Sequence, residues 1–157
     1  MKLQPVSLPS FQPALKGETP NGYTRGTPPA GDVFVSMLPQ DPMIATPELL
    51  ALPAKEIGTQ LSGPRFKVVD SVPVAKADSN GNYIYDPGLP QFDQVTTTAV
   101  VSKTLLTYEH YMGHSSGWSF NGPLLIHPHA GDGKTAYYSR WDESINFFQW
   151  DSPSLGK

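Results

Sequence analysis

Cysteine is absent from the 157 residues, so disulfides, thiolate metal sites and thiol nucleophiles are all excluded, and packing must supply the stability. Charge is sparse as well. The 11 Lys and Arg against 14 Asp and Glu form no basic run or stripe, which leaves no electrostatic footprint for a nucleic-acid partner. No apolar run approaches the ~18 residues that span a bilayer. The opening MKLQPVSLPSFQP has no apolar h-region of a secretory signal, so the expected localisation is cytoplasmic, or exported by a non-Sec route. Neither a nucleic acid nor a membrane is expected as partner.

What the chain does have is proline and glycine, 17 and 14 respectively, about a fifth of the total against roughly 12% in ordinary soluble proteins. No Gly-x-y period accompanies them, which rules out a collagen-like chain. Eleven of the prolines fall in residues 1–64, whereas 14 of the 17 aromatics and all four histidines fall in 65–157. Because each proline fixes its own φ and removes a backbone donor, the spacing predicts an extended, Pro-rich strap over 1–64 with apolar pegs such as Phe11, Phe34 and Leu52. One short helix is expected at Thr46–Ala51, with Thr46 as cap and Pro47 at the first helical position. Residues 65–157 are expected to form the compact unit.

Within that unit the pattern predicts an α+β fold: an antiparallel, twisted sheet with one long helix, about 94–112, packed on it. Strands are expected from Arg65 through Val74, at Leu124–His127, at Ala136–Trp141 and at Ile145–Trp150. Asp93 is the expected helix cap and Gly113 the left-handed C-cap. Asn80-Gly81 predicts a hairpin turn. Its Asp78-x-Asn80-x-Asn82 spacing resembles half of a calcium loop, yet Tyr83 and Leu89 occupy the positions where that loop needs Gly and a bidentate Glu.

No G-x-S-x-G, complete phosphate loop or dinucleotide fingerprint occurs, and Gly131-Asp132-Gly133-Lys134-Thr135 matches only the end of a phosphate loop. His127-Pro128-His129 is the best local metal signal, because two residues apart on a strand both imidazoles share one face. The aromatic block Tyr137, Tyr138, Trp141, Phe147, Phe148 and Trp150 alternates between a core face and an outer face. Its exposed members would make a stacking or docking surface.

The order of elements carries a resemblance. A helix opening at Phe92-Asp93-Gln94-Val95 and closing at Tyr108-Glu109-His110-Tyr111-Met112-Gly113, then Leu124-Leu125-Ile126, a Gly-rich loop, Thr135-Ala136-Tyr137-Tyr138-Ser139 and Ile145-Asn146-Phe147-Phe148 resembles the N-terminal, substrate-cleft half of thermolysin-like zinc metalloproteases. The resemblance implies that the Ala136 strand is an edge that pairs with an extended polypeptide, so Thr135, Ala136, Tyr137, Tyr138 and Trp141 become substrate- or partner-binding residues. Thr135 stands where that family has Asn. The zinc helix H-E-x-x-H does not occur in these residues, so no catalytic residue is assigned and no cofactor is expected in this chain; zinc would come with a partner or segment that completes the site.

Three functions therefore stand as expectations. The first is a noncatalytic module that binds an extended polypeptide, or a missing catalytic half, along the edge strand. The second is an assembly protein whose Pro-rich arm wraps a neighbouring subunit. The third is a small metalloenzyme built on His127 and His129. An open edge invites aggregation, so residues 136–141 are expected to be covered by the strap or by a partner.

Overall fold

The computed structural model describes residues 26–39 and 46–149. The pegs before residue 26 and the end of the last expected strand at Trp150 lie outside the described residues.

Among the described residues the fold is α+β, with two sheets and one long helix. Strand β1, Asp32–Met37, pairs antiparallel with β2, Glu48–Pro53, in a register running from Asp32 opposite Pro53 to Met37 opposite Glu48. Five consecutive residues of β1 are buried, and both of its edges are occupied. On the side away from β2, Tyr83 N–H donates to Phe34 O at 2.8 Å and Ser36 N–H donates to Tyr83 O at 3.0 Å.

The described part of the Pro-rich region thus holds two paired strands, where the proline spacing predicts an extended strap. Its prolines fall outside β1 and at the end of β2, positions where a missing donor breaks no ladder. Val33, Val35, Met37, Leu52, Ile57 and Leu61 join the same core as Phe66, Val68, Val95 and Ile126. Residues 48–51, expected as helix, are strand instead: pairing with β1 outweighs the local capping signals at Thr46 and Pro47. Among the described residues nearby, the helix is the single turn α1, Ala54–Ile57.

After α1 the chain reverses tightly. A Cβ on Gly58 would lie 2.1 Å from Ser62 O, so only glycine allows this crossing. Gln60 and Leu61 hold φ of 54° and 52°, the two central residues of a turn closed by Ser62 N–H donating to Thr59 O at 3.1 Å. For leucine this conformation is costly, and complete burial of Leu61 in the core offsets it.

The second sheet has the order β3-β4-β6-β5, with β3 at Phe66–Val68, β4 at Leu124–His127, β5 at Ala136–Ser139 and β6 at Ser144–Phe147. It is mixed: β3–β4 and β4–β6 run parallel, and β5–β6 antiparallel. The parallel β3–β4 pair follows from the long connection between these strands, which contains the helix, and β4 reaches its parallel partner β6 through the segment that holds β5. The expected strand does not continue to Val74. The turn at Asn80-Gly81 is closed by Asp78 N–H donating to Asn82 O at 2.8 Å and Gly81 N–H to Asp78 O at 3.0 Å, but no ladder extends from it, and Tyr83 bridges to Val35 of β1.

Helix α2, Pro90–Met112, starts a turn earlier than Asp93 would cap it, because Pro90 occupies the first helical position, where its fixed φ fits and no donor is lost. Val95, Ala99 and Leu105 face inward at helical spacing, joined by Phe92, Gln94, Thr98 and Ser102, while Tyr108 faces solvent. Gly113 caps the other end at φ 74°, donating its N–H to Glu109 O at 2.9 Å. Among the described residues no helix is long and apolar enough to cross a membrane.

Candidate functional site

β5 is the outer strand of the four-stranded sheet, and among the described residues no strand pairs with its free side. Thr135 O accepts the Phe148 N–H at 3.2 Å, and the register continues with Tyr137 opposite Asn146 and Ser139 opposite Ser144. In an antiparallel ladder hydrogen-bonded pairs alternate, so Tyr137 and Ser139 direct their backbone groups to β6 while Ala136 and Tyr138 direct theirs outward. Tyr137 and Tyr138 are 51% and 50% exposed, and Trp141, in the turn that follows, is fully exposed. Tyr137 and Phe148 lie 5.9 Å apart, ring centre to ring centre. In the same turn Asp142 lies below the usual carboxyl range, because the Ser139 and Ser144 side chains hydrogen-bond to it, with His127 adding attraction.

The two expected metal-binding histidines have different surroundings. His127 ends β4, opposite Asn146. Pro128 and His129 leave the strand in a turn, and His129 reaches two carboxylates: Nδ1 lies 2.6 Å from Asp70 Oδ2 and Nε2 lies 3.2 Å from Asp93 Oδ2. Gln94 completes the cluster. Its Nε2 donates to Asp70 Oδ2 at 2.7 Å and its Oε1 accepts the Ala75 N–H at 2.8 Å. The Asp70 side chain is wholly buried. Burial alone would raise its pKa, but the hydrogen bonds from Gln94 and His129, the His129 charge and the Ser71 amide outweigh burial and hold the carboxyl below its ordinary 3.8.

Sequence reasoning picked out His129 but not Asp70 or Gln94, and it gave Asp93 only a capping role. The available signal was Gln94, a polar residue on the inward stripe of the helix between Phe92 and Val95, which needs a buried polar partner. No group of three His, Asp or Glu side chains suited to a metal ion forms among the described residues. The calcium-like loop is also turned inward: Asp78 Oδ1 accepts the N–H groups of Asn80 and Asn82 at 2.8 and 2.9 Å, and Asn82 Oδ1 accepts the Phe34 N–H at 2.9 Å.

Beside Asp93 lies a cavity of about 720 Å³, bounded by the start of α2, Pro128, the loop at Asp132 and Gly133, and residues Phe147–Gln149. Phe148 therefore belongs both to this cavity and to the aromatic surface of β5. Comparison with protein families, with curated proteins and with solved structures returned no match.

Proposed function

We propose that the chain is a noncatalytic module that binds an extended polypeptide by adding it as a strand to the free edge of β5, in the manner of the substrate-cleft half of the thermolysin-like proteases it resembles. The observation that supports this most is the exposure of β5 itself, an outer strand flanked by Tyr137, Tyr138 and Trp141. Main-chain hydrogen bonds from Ala136 and Tyr138 would supply affinity, and the aromatic rings would contact alternate side chains of the guest.

The backbone directions define the test. Tyr138→Pro removes an outward N–H and leaves the β5–β6 ladder intact, whereas Tyr137→Pro breaks that ladder. Peptides selected from a displayed 12-residue library should lose binding in Tyr138→Pro while the circular dichroism of the chain stays unchanged. Selected peptides that bind Tyr138→Pro as tightly as the parent would reject strand addition. In the split-enzyme form of this reading, zinc arrives with an H-E-x-x-H-bearing partner. Mixing the two and assaying peptide hydrolysis tests that form, and neither complex nor activity would dismiss it.

A further inference from the structure

The cavity beside Asp93 combines features that the edge strand does not use. Two carboxylates line it, Asp93 from the first turn of α2 and Asp132 from the loop before β5, and no lysine or arginine is in its lining. Phe147 and Phe148 add aromatic surface, and Thr96, Thr97 and Gln149 add neutral polar groups.

Both carboxylates are positioned by the scaffold. Asp93 is held through His129, whose other nitrogen is fixed by buried Asp70. The Asp132 loop is stitched to the chain after β6: Ala130 N–H donates to Phe147 O at 2.8 Å, Gln149 N–H to Gly131 O at 2.9 Å, and Gly133 N–H to Gln149 O at 2.8 Å. A Cβ on Gly131 would approach Phe148 Cε1 to 2.9 Å, so glycine there lets the ring lie against the loop and form the wall.

Asp132, and the Asp93 oxygen that does not face His129, beside aromatic rings in a recess favour a cationic guest. Phe147 and Phe148 offer flat aromatic faces that a metal ion would leave unused, which turns the choice to an organic cation. A guanidinium suits it best: a planar group with five donors can bridge two carboxylates and stack on a phenyl ring, whereas an ammonium has no flat face to stack. The volume falls within the ~300–1,000 Å³ range of small-ligand sites. We propose that this cavity binds a guanidinium group, carried by a small molecule or by an arginine side chain. The site goes beyond strand addition at β5 and does not depend on it.

The full chain, labelled with ¹⁵N, is titrated with agmatine and separately with acetyl-arginine amide, following the Gly133 and Gln149 amides. Saturable shifts are expected with at least one of them. Agmatine alone would identify a small-molecule site, and acetyl-arginine amide a side-chain site. Asp132→Asn, an exposed position, should weaken binding about tenfold, the scale of one charge-assisted contact. Acetyl-citrulline amide, isosteric and uncharged, should cause no saturable shift, and Tyr138→Pro should leave guanidinium binding intact even where it abolishes peptide binding at β5. No saturable shift with either guanidinium, equal binding of citrulline, or unchanged affinity in Asp132→Asn would overturn the assignment. Loss of agmatine binding in Tyr138→Pro would overturn its independence from the edge.

Discussion

His129 Nδ1 lies 2.6 Å from Oδ2 of Asp70, although 59 positions separate the two residues in the chain. The contact joins the segment after β3 to the turn after β4, and through Asp93 it reaches the first turn of α2. Asp70 also accepts from Gln94, so the carboxylate serves two donors. Both donors reach Oδ2 while Oδ1 accepts the Ser71 N–H at 2.7 Å, so Asp70→Asn keeps the shape but turns one of these acceptor oxygens into an NH2 group that faces a donor. The expected result is a stability loss of roughly 1–3 kcal/mol, the cost of leaving a buried polar group unsatisfied. Urea unfolding checks it: the midpoint should fall with an unchanged slope, and an unmoved midpoint would show the cluster to be structurally idle.

The same carboxylate fixes a pH dependence. Its folded pKa lies below the ordinary 3.8, so at pH values between the two the unfolded chain binds more protons and stability rises with pH. The contribution is complete above that ordinary value and is lost as pH falls through the folded one. Glu109 behaves alike from its ordinary 4.5, held down first by the Ser116 N–H, against the opposing effect of burial, and then by Ser115 and Arg65. Acid unfolding should therefore steepen below about pH 4.5. The stability gap between the parent and Asp70→Asn should narrow as pH drops through this window. A gap that is constant from about pH 5 to pH 2 would contradict the assignment.

Arg65 joins α1 to the end of α2. Its Nε lies 2.9 Å from Glu56 Oε2 and its Nη1 2.5 Å from Glu109 Oε1, while its backbone O accepts the Trp118 Nε1–H at 2.6 Å. All three charged side chains are no more than 15% exposed. Arg65→Met would leave two largely buried carboxylates without their cation, and a loss of about 3 kcal/mol is expected, the lower end for breaking a buried pair. Replacing all three with apolar residues should recover part of that loss. A triple variant less stable than Arg65→Met would mean that the cation is not what holds these elements together.

What the sequence made legible was whatever rests on local chemistry. Gly113 ends its helix, Val95 and Ala99 face inward, and Ala136–Ser139 and Ser144–Phe147 are strands around a short turn, each because neighbouring residues specify it. Illegible features depend on distant contacts. Residues 48–51 carry helix-start signals yet pair with β1, and Leu61 adopts a conformation that only its burial explains. At the candidate site alternation was no guide to the aromatics, since Tyr137 and Tyr138, neighbours on β5, are both about half exposed. The Asp70–His129–Asp93 cluster could not be read either, since three segments meet only after the fold exists.

Ser102 gives a prediction of opposite sign. Its side chain is buried on α2, and Oγ finds no hydrogen-bond partner among the described residues, whereas Thr98, one turn earlier, donates to Gln94 O at 2.8 Å. An unsatisfied buried hydroxyl costs desolvation without return, and alanine is also the better helix former by about 0.5 kcal/mol. Ser102→Ala should therefore be neutral or stabilising by up to about 1 kcal/mol, and Thr98→Ala destabilising, because it deletes both a satisfied hydroxyl and a packed methyl. Thermal unfolding of the two variants side by side provides the comparison. A lower melting temperature for Ser102→Ala would mean that this hydroxyl has a partner, and that the inner stripe of α2 meets a polar group where its packing shows none.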